Sequence, residues 1–97
     1  MSVISPQAAG TRQFAQELFA QISDDLTDVR LRVELTSVRI ASPSFVDEII
    51  RIAFEERAVG TLEFIDTPLI AANAIDDSAT DRGLADRISV DRRAAAS

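Results

Sequence analysis

Apolar and polar residues alternate most clearly around residue 30 of the chain. Residues 29–35 read VRLRVEL, so every second side chain is apolar. A period of two is typical of a strand with one buried face. By the same reasoning we predict a buried strand at Thr61 to Ile65 (TLEFI), a short strand at residues 2–5 and a last strand at Ile88 to Val90.

Three helices are predicted between these strands. The first runs from Arg12 to Ile22 behind Thr11, whose hydroxyl suits an N-cap. Its apolar stripe consists of Phe14, Leu18, Phe19 and Ile22. The second helix runs from Ser44 to about Ala58, and Gly60 is predicted to end it. The third begins at Leu69, after a Thr67-Pro68 pair that is typical of a cap followed by proline.

The second helix carries an unusually wide apolar arc. Its apolar residues span roughly 200°, whereas a surface helix needs little more than about 100° for the core. They are Phe45, Val46, Ile49, Ile50, Ile52, Ala53 and Phe54. Burial of the whole arc between the sheet and a neighbouring helix is favoured. The alternative is that one flank, either Phe45 with Ile52 or Ile50 with Phe54, is exposed for a partner.

A Ser42-Pro43-Ser44 turn precedes this helix and has two readings. In the first, Ser42 is the N-cap and Pro43 takes the first helical position. In the second, Ser44 is the cap and Asp47 completes a box-like pair. Within the helix, Asp47 is predicted to pair with Arg51 at i, i+4 on the polar side.

Composition removes many function classes. The 97-residue chain has no Cys and no His, so it lacks the usual thiol nucleophile, the usual general base and the softer metal ligands. We therefore expect a protein that is not an enzyme, with no metal and no cofactor. The net charge is −6 and all ten basic residues are Arg, scattered along the chain. Because phosphate binding needs a concentrated basic surface, no nucleic-acid partner is expected.

The chain also lacks a signal for a membrane or for secretion. Its apolar runs are a few residues long, far short of the roughly 20 that a membrane-spanning helix needs. Residues 1–10 have neither a basic n-region nor an apolar h-region. We expect a cytoplasmic protein with no membrane association.

Alternating strands and helices indicate βαβ units. The predicted fold class is α/β: a small sandwich with about four mostly parallel strands and three helices. Its length suggests a single domain over residues 1–97. The core is expected at about residues 11–91, and residues 92–97 are predicted to be a disordered tail.

Four phrases of the chain carry a family resemblance. They are ELTSV at 34–38, SPSFVDE at 42–48, LEFI at 62–65 and GLADRISV at 83–90. Together they resemble the STAS domain, the fold of anti-sigma factor antagonists and of the cytoplasmic tails of sulfate transporters. The chain looks similar in particular to a STAS-like family of uncharacterised bacterial domains.

This resemblance implies a regulatory function. In anti-sigma factor antagonists, a hydroxyl residue in the turn is phosphorylated by a partner kinase of the GHKL ATPase fold, and phosphorylation breaks the complex. The acceptor position falls on Ser44, and Ser42 is the second candidate. The implied role is a non-enzymatic bacterial module that docks onto a protein such as a GHKL-type ATPase or kinase. The implied docking residues are Ser42, Pro43, Ser44, Phe45, Asp47 and Glu48. For both serines, a purely structural role as helix cap is the alternative and is favoured.

Three other interpretations stay open. A small-ligand or nucleotide sensor would use the same turn, although the chain has only three Gly and no Gly-rich phosphate loop. A homodimeric structural subunit would use surplus apolar surface on a helix or at the sheet edge. Finally, four carboxylates of the second helix could hold a cation, but a solvated polar face is favoured. They are Asp47, Glu48, Glu55 and Glu56.

Overall fold

Four parallel strands form one sheet, and their spatial order follows the chain. The computed structural model describes residues 2–94. The strands are β1 (Ser2–Ile4), β2 (Arg30–Glu34), β3 (Thr61–Thr67) and β4 (Ile88–Arg92). Three helices connect them: α1 (Arg12–Ala20), α2 (Pro43–Arg51) and α3 (Leu69–Asp81). The predicted α/β class with four strands and three helices is confirmed.

The helices cover one face of the sheet. In β2, Leu31 and Val33 are fully buried, whereas Arg30, Arg32 and Glu34 point away from the core. The same alternation recurs in β3. Because successive side chains of a strand point to opposite faces, a single buried set per strand means a single helical layer. The molecule therefore has two layers, and the outer face of the sheet is largely polar, with Val3 and Ile65 as its apolar residues in β1 and β3.

Helix α2 lies in the middle of the helical layer, between α1 and α3. It continues beyond Arg51 as a π-helical turn, Ile52–Glu56. All the apolar residues of its arc are buried except Phe54, whose ring lies under the Arg87 guanidinium at 4.8 Å. Burial of the wide arc, the favoured interpretation, is confirmed because α2 has the sheet below it and a helix on either side.

Helix α1 differs from the prediction in the side that it buries. Phe14 is 41% exposed, and the buried positions are Ala15 and Phe19. The helix also ends at Ala20 rather than at Ile22. The reason is that α1 is the outermost helix, above the edge strand, so its outer flank has no neighbouring element to cover Phe14. The predicted Thr11 cap is confirmed by a 3.3 Å bond from the Phe14 N–H.

Gly60 does not end the second helix. The π-helical turn ends at Glu56, and Ala58 then takes a left-handed conformation with φ of 52°. Gly60 lies instead where the chain passes close to the preceding loop. A Cβ atom there would lie 2.7 Å from the Asp28 carbonyl oxygen. Glycine is thus required for close backbone approach rather than for helix termination.

The start of α3 also corrects the prediction. Pro68 occupies the N-cap position, with no capping bond from a side chain. Thr67 is the last residue of β3 and is fully buried, and its hydroxyl has no hydrogen-bond partner among the described residues. The strand continues two residues beyond the predicted end, and this extension takes the threonine away from the helix terminus.

The segment after residue 91 is ordered as far as the structure describes it, contrary to the predicted tail. Arg92 belongs to β4. The Arg93 guanidinium donates to the carbonyl oxygens of Leu35 (2.9 Å), Val38 (3.0 Å) and Asp66 (3.1 Å). One planar group therefore ties the loop after β2 to the last residues of β3 at the carboxyl end of the sheet. Residues 95–97 of the predicted tail lie outside the described part.

Candidate docking site at the start of α2

The turn before α2 is held by Ser42. Its Oγ accepts a 3.1 Å hydrogen bond from the Phe45 N–H, and its own N–H donates to the Ala9 carbonyl oxygen at 2.9 Å. Pro43 takes the first helical position, where a missing N–H costs nothing. Of the two readings of the turn, the one with Ser42 as cap is confirmed.

Ser44 is therefore not a cap. It occupies the second helical position, one residue before the N–H that Ser42 satisfies, and it is exposed. The structural role that was favoured for this serine belongs to Ser42 alone. The hydroxyl of Ser44 is presented at the positive end of a helix, on the surface of the molecule.

A shallow depression of about 290 Å³ adjoins Ser44. Its walls are the start of α1, the start of α2 and one flank of α3. The lining residues are Arg12, Pro43, Ser44, Asp47, Ala74, Asp77, Ser78 and Asp81. Three of these residues are acidic and one is basic, so the depression favours a partner surface that is basic overall.

Asp47 links the three helices beside this depression. Its carboxylate accepts hydrogen bonds from Arg12 (2.9 Å), from the Ser78 hydroxyl (2.7 Å) and from Arg82 (3.2 Å). Partial burial tends to raise the pKa of Asp47, but these donors outweigh it and hold the pKa below its usual value. The predicted pair with Arg51 does not form, because Asp47 is bound by residues of α1 and α3 while Arg51 pairs with Glu48 and Glu56.

Glu48 is the buried carboxylate of the site. Arg51 donates to both of its oxygens at 2.9 Å, Gln16 donates at 2.9 Å, and Arg12 lies 3.3 Å away. The hydrogen bonds from Arg51 are the main cause of a pKa of about 2 for Glu48, against the desolvation that would raise it. Glu48 thus forms an ion pair with Arg51 within α2, and its bonds from Gln16 and Arg12 join α2 to α1.

The remaining carboxylates of this helix are paired as well. Glu55 contacts Arg82 at 2.6 Å, and Glu56 contacts Arg51 at 2.8 Å. Arginines occupy the positions where a cation would have to bind. In residues 2–94, no group of three or more acidic side chains is arranged to hold a metal ion. No helix in the described range is long and apolar enough to cross a membrane.

The six predicted docking residues are not equivalent on the surface. Pro43 and Ser44 are exposed, while Ser42 and Asp47 are half-buried. Phe45 is fully buried and Glu48 is 3% exposed, because both side chains pack inside the helical layer. A partner that meets this surface in the described conformation contacts Pro43, Ser44 and Asp47, and it does not reach the Phe45 ring.

Sequence reasoning missed the residues that complete the depression. Arg12 comes from α1, whereas Asp77, Ser78 and Asp81 come from α3. Ser78, which donates to Asp47 of α2, lies more than thirty positions from it in the sequence. On α3, spacings of three and four residues place these positions on one flank. The sequence shows that these α3 residues share a flank, but it does not show that this flank faces α2.

Comparison with known proteins adds no relative. No protein-family model matches the chain, and no curated protein or solved structure is significantly similar to it. The α/β fold is the property that the structure establishes, and the STAS resemblance stays an expectation from the sequence.

Proposed function

We propose that the chain is a STAS-like, non-enzymatic regulatory module that docks onto a protein partner through the start of α2. The partner fits a GHKL-type ATPase or kinase, and phosphorylation of Ser44 switches the complex. The observation that carries the proposal is the exposed Ser44 hydroxyl, which is freed from capping by Ser42 and lies beside a charged depression.

Accessibility supports Ser44 as the acceptor. A kinase must bring the γ-phosphate of ATP into line with the attacking hydroxyl oxygen, so the acceptor has to project from the surface. Ser44 does so at the second position of α2, whereas Ser42 is half-buried and its Oγ already accepts from the Phe45 N–H. The second candidate acceptor is therefore disfavoured, because its modification would also remove the cap.

Phosphorylation would change the charge of the docking surface strongly. A phosphate adds about −1.5 to −2 charges at neutral pH. Inside the molecule this charge is tolerated, since it lies at a helix N-terminus and Arg12 lines the same depression. At the interface it adds to Asp47, Asp77 and Asp81. Towards a basic partner this charge is not repulsive in itself. The complex dissociates because a contact that fits a neutral hydroxyl has no room for a bulky dianion and would have to remove its water.

The direct test mixes the full chain with a co-encoded GHKL-type ATPase and ATP and measures the intact mass. The expected result is a gain of one phosphoryl group that is lost in Ser44→Ala. Ser37→Ala, a change at an exposed serine in the loop before α2, is the matched control and should keep the gain. The switch is contradicted if the mass stays unchanged although the kinase phosphorylates itself, or if the added mass persists in Ser44→Ala.

Docking is tested separately from phosphorylation. Asp77→Lys reverses a charge at the rim of the depression and should weaken binding of the same ATPase by tenfold or more. Asp24→Lys makes the same change in net charge at an exposed loop position outside the depression, and it should leave the affinity within about twofold. Equal effects of the two variants would mean that only overall charge matters, and the docking site would lie elsewhere.

A further inference from the structure

One stripe of α3 runs along the outside of the molecule beside the docking site. Its four residues follow one another at intervals of four, three and four positions, so they lie within an arc of about 60° on the helix. They are Ile70, Ala74, Asp77 and Asp81, named here the α3 stripe. Ile70 is 68% exposed, and both aspartates are exposed as well. The last three residues of the stripe line the depression next to Ser44.

The acidic end of the α3 stripe carries two unpaired carboxylates. Five other carboxylates lie on α2, its π-helical continuation and α3, and each of them is paired with an arginine. They are Asp47, Glu48, Glu55, Glu56 and Asp76. Asp77 and Asp81 have no ion-pair partner within residues 2–94. The neighbouring Arg82 is already held by Asp47 and Glu55. In a chain of net charge −6, this end of the stripe favours a partner that brings positive charge.

The apolar end of the α3 stripe lies one helical turn beyond the depression. Ile70 precedes Ala74 by four residues and extends the stripe by about 6 Å past it. Covering an exposed isoleucine removes apolar surface from water, which is the dominant favourable contribution to most protein association. The stripe therefore offers one apolar contact, with two charged contacts roughly 10 and 16 Å along the helix from it.

We propose that the α3 stripe binds a basic amphipathic helix of the protein partner. An apolar residue of that helix covers Ile70, and two lysine or arginine side chains seven and eleven positions away meet Asp77 and Asp81. The inference rests on the proposed function and deepens it, because it names the part of the partner that occupies the surface beside Ser44.

The spacing of the stripe favours a helix over an extended segment. Intervals of four, three and four residues are those at which two helices stay in contact along their length. Side chains on one face of a strand recur about every 6.6 Å, which does not coincide with the separation of the apolar and charged contacts. Pro43 and Ser44 form the opposite wall of the depression, so the helix would lie between them and α3. Arg12 also lines the depression, but its guanidinium is held by Asp47 at 2.9 Å.

The first test measures binding of a helical probe peptide to the full chain by fluorescence anisotropy. The probe is a stapled helix of about 18 residues, long enough to cover the stripe, with leucine at one position and arginine seven and eleven positions after it. A contact of this small size should give a dissociation constant on the order of 100 µM. A control probe with glutamate in place of both arginines should bind at least about tenfold more weakly. No binding of the arginine probe at about 1 mM, or equal binding of the two probes, overturns the proposal.

The second test locates the probe on the stripe. Leu69 is 67% exposed in the same turn as Ile70, but it lies about 100° round the helix from it. Ile70→Gln should raise the dissociation constant of the arginine probe about fivefold, and Leu69→Gln should leave it within about twofold. Asp81→Arg should weaken binding of the same probe, and a probe with glutamate at the eleventh position should restore it. Equal effects of the two glutamine variants, or no recovery after the charge exchange, would refute the assignment.

The results also separate this inference from the proposed function. If the ATPase binds the chain and the arginine probe does not, the helix is refuted and the docking proposal stands. If the probe binds the stripe and the ATPase does not bind, the partner of the proposed function is refuted instead. Sedimentation of the chain alone examines a second copy as the occupant. A dimer that Ile70→Gln abolishes would assign the stripe to that copy and overturn the proposal.

Discussion

Replacing Glu48 by glutamine tests whether its ion pair with Arg51 and its bonds to α1 stabilise the fold. Glu48 is buried, and its charged form is held by Arg51, Gln16 and Arg12. Its pKa falls from 4.5 to about 2 on folding. A change of this size corresponds to about 3 kcal/mol of stabilisation at neutral pH. Because Gln keeps part of the hydrogen bonding, we expect Glu48→Gln to lower the free energy of unfolding by about 2 kcal/mol at pH 7.

The pH dependence of this loss gives a sharper test. The folded pKa of Glu48 lies below the unfolded value, so the stabilisation is complete above the unfolded pKa and disappears as the pH falls through about 2. The difference between wild type and Glu48→Gln should therefore shrink to less than half at about pH 3. Urea unfolding followed by circular dichroism at the two pH values measures it directly.

Glu17→Gln is the matched control for this experiment. Glu17 is an exposed residue of α1 whose carboxylate accepts a 3.1 Å bond from Gln13. The same change of side chain should alter the stability by less than about 0.5 kcal/mol. If Glu48→Gln costs no more than Glu17→Gln at pH 7, or costs the same at pH 3 as at pH 7, the ion-pair argument is refuted.

Three further substitutions examine the backbone of the site and of the sheet. Ser42→Ala should destabilise the protein by about 1 kcal/mol because it removes the cap of α2, whereas Ser44→Ala should be nearly neutral. Thermal unfolding measures both variants, and equal effects would contradict the capping assignment. Gly60→Ala should lower the free energy of unfolding by about 1–3 kcal/mol, since the new Cβ would lie 2.7 Å from a carbonyl oxygen. The control, Gly10→Ala, places its Cβ at an ordinary contact distance of 3.9 Å. A neutral Gly60→Ala would disprove the close approach. Arg93→Ala should lower the free energy of unfolding by about 1–3 kcal/mol, because three carbonyl oxygens lose their hydrogen-bond donor. Arg93→Lys should restore only part of this stability, since an ammonium group lacks the planar set of donors of a guanidinium. Full recovery would mean that charge alone matters.

The strands and the central helix were predictable because the spacing of apolar residues along each segment shows which side is buried. Leu31 and Val33 alternate with charged residues in β2, and the α2 arc is wide because that helix has three neighbours. Phe14 shows where periodicity fails. Its size and spacing match a buried stripe, but the position of α1 above an edge strand leaves that side uncovered. A local pattern contains no information about which element lies at the edge.

The docking site was only half predictable for a related reason. The Ser42-Pro43 start of α2 is a local signal, and the structure confirms it. The partners of Asp47 are not local, since Arg12 and Ser78 are separated from it by 35 and 31 positions. Arg93 is a similar case. A charged residue near the end of a chain suggests a tail, yet the carbonyl groups that it binds come together only when the sheet has formed.

The order of the strands has a consequence for how the chain can fold. Each strand pairs with the one before it in the sequence, so no strand has to enter between two that are already paired. Loop closure is then needed only over one helix at a time, which keeps its entropic cost low at every step. During synthesis, the strands would therefore emerge from the ribosome in the same order in which they add to the sheet.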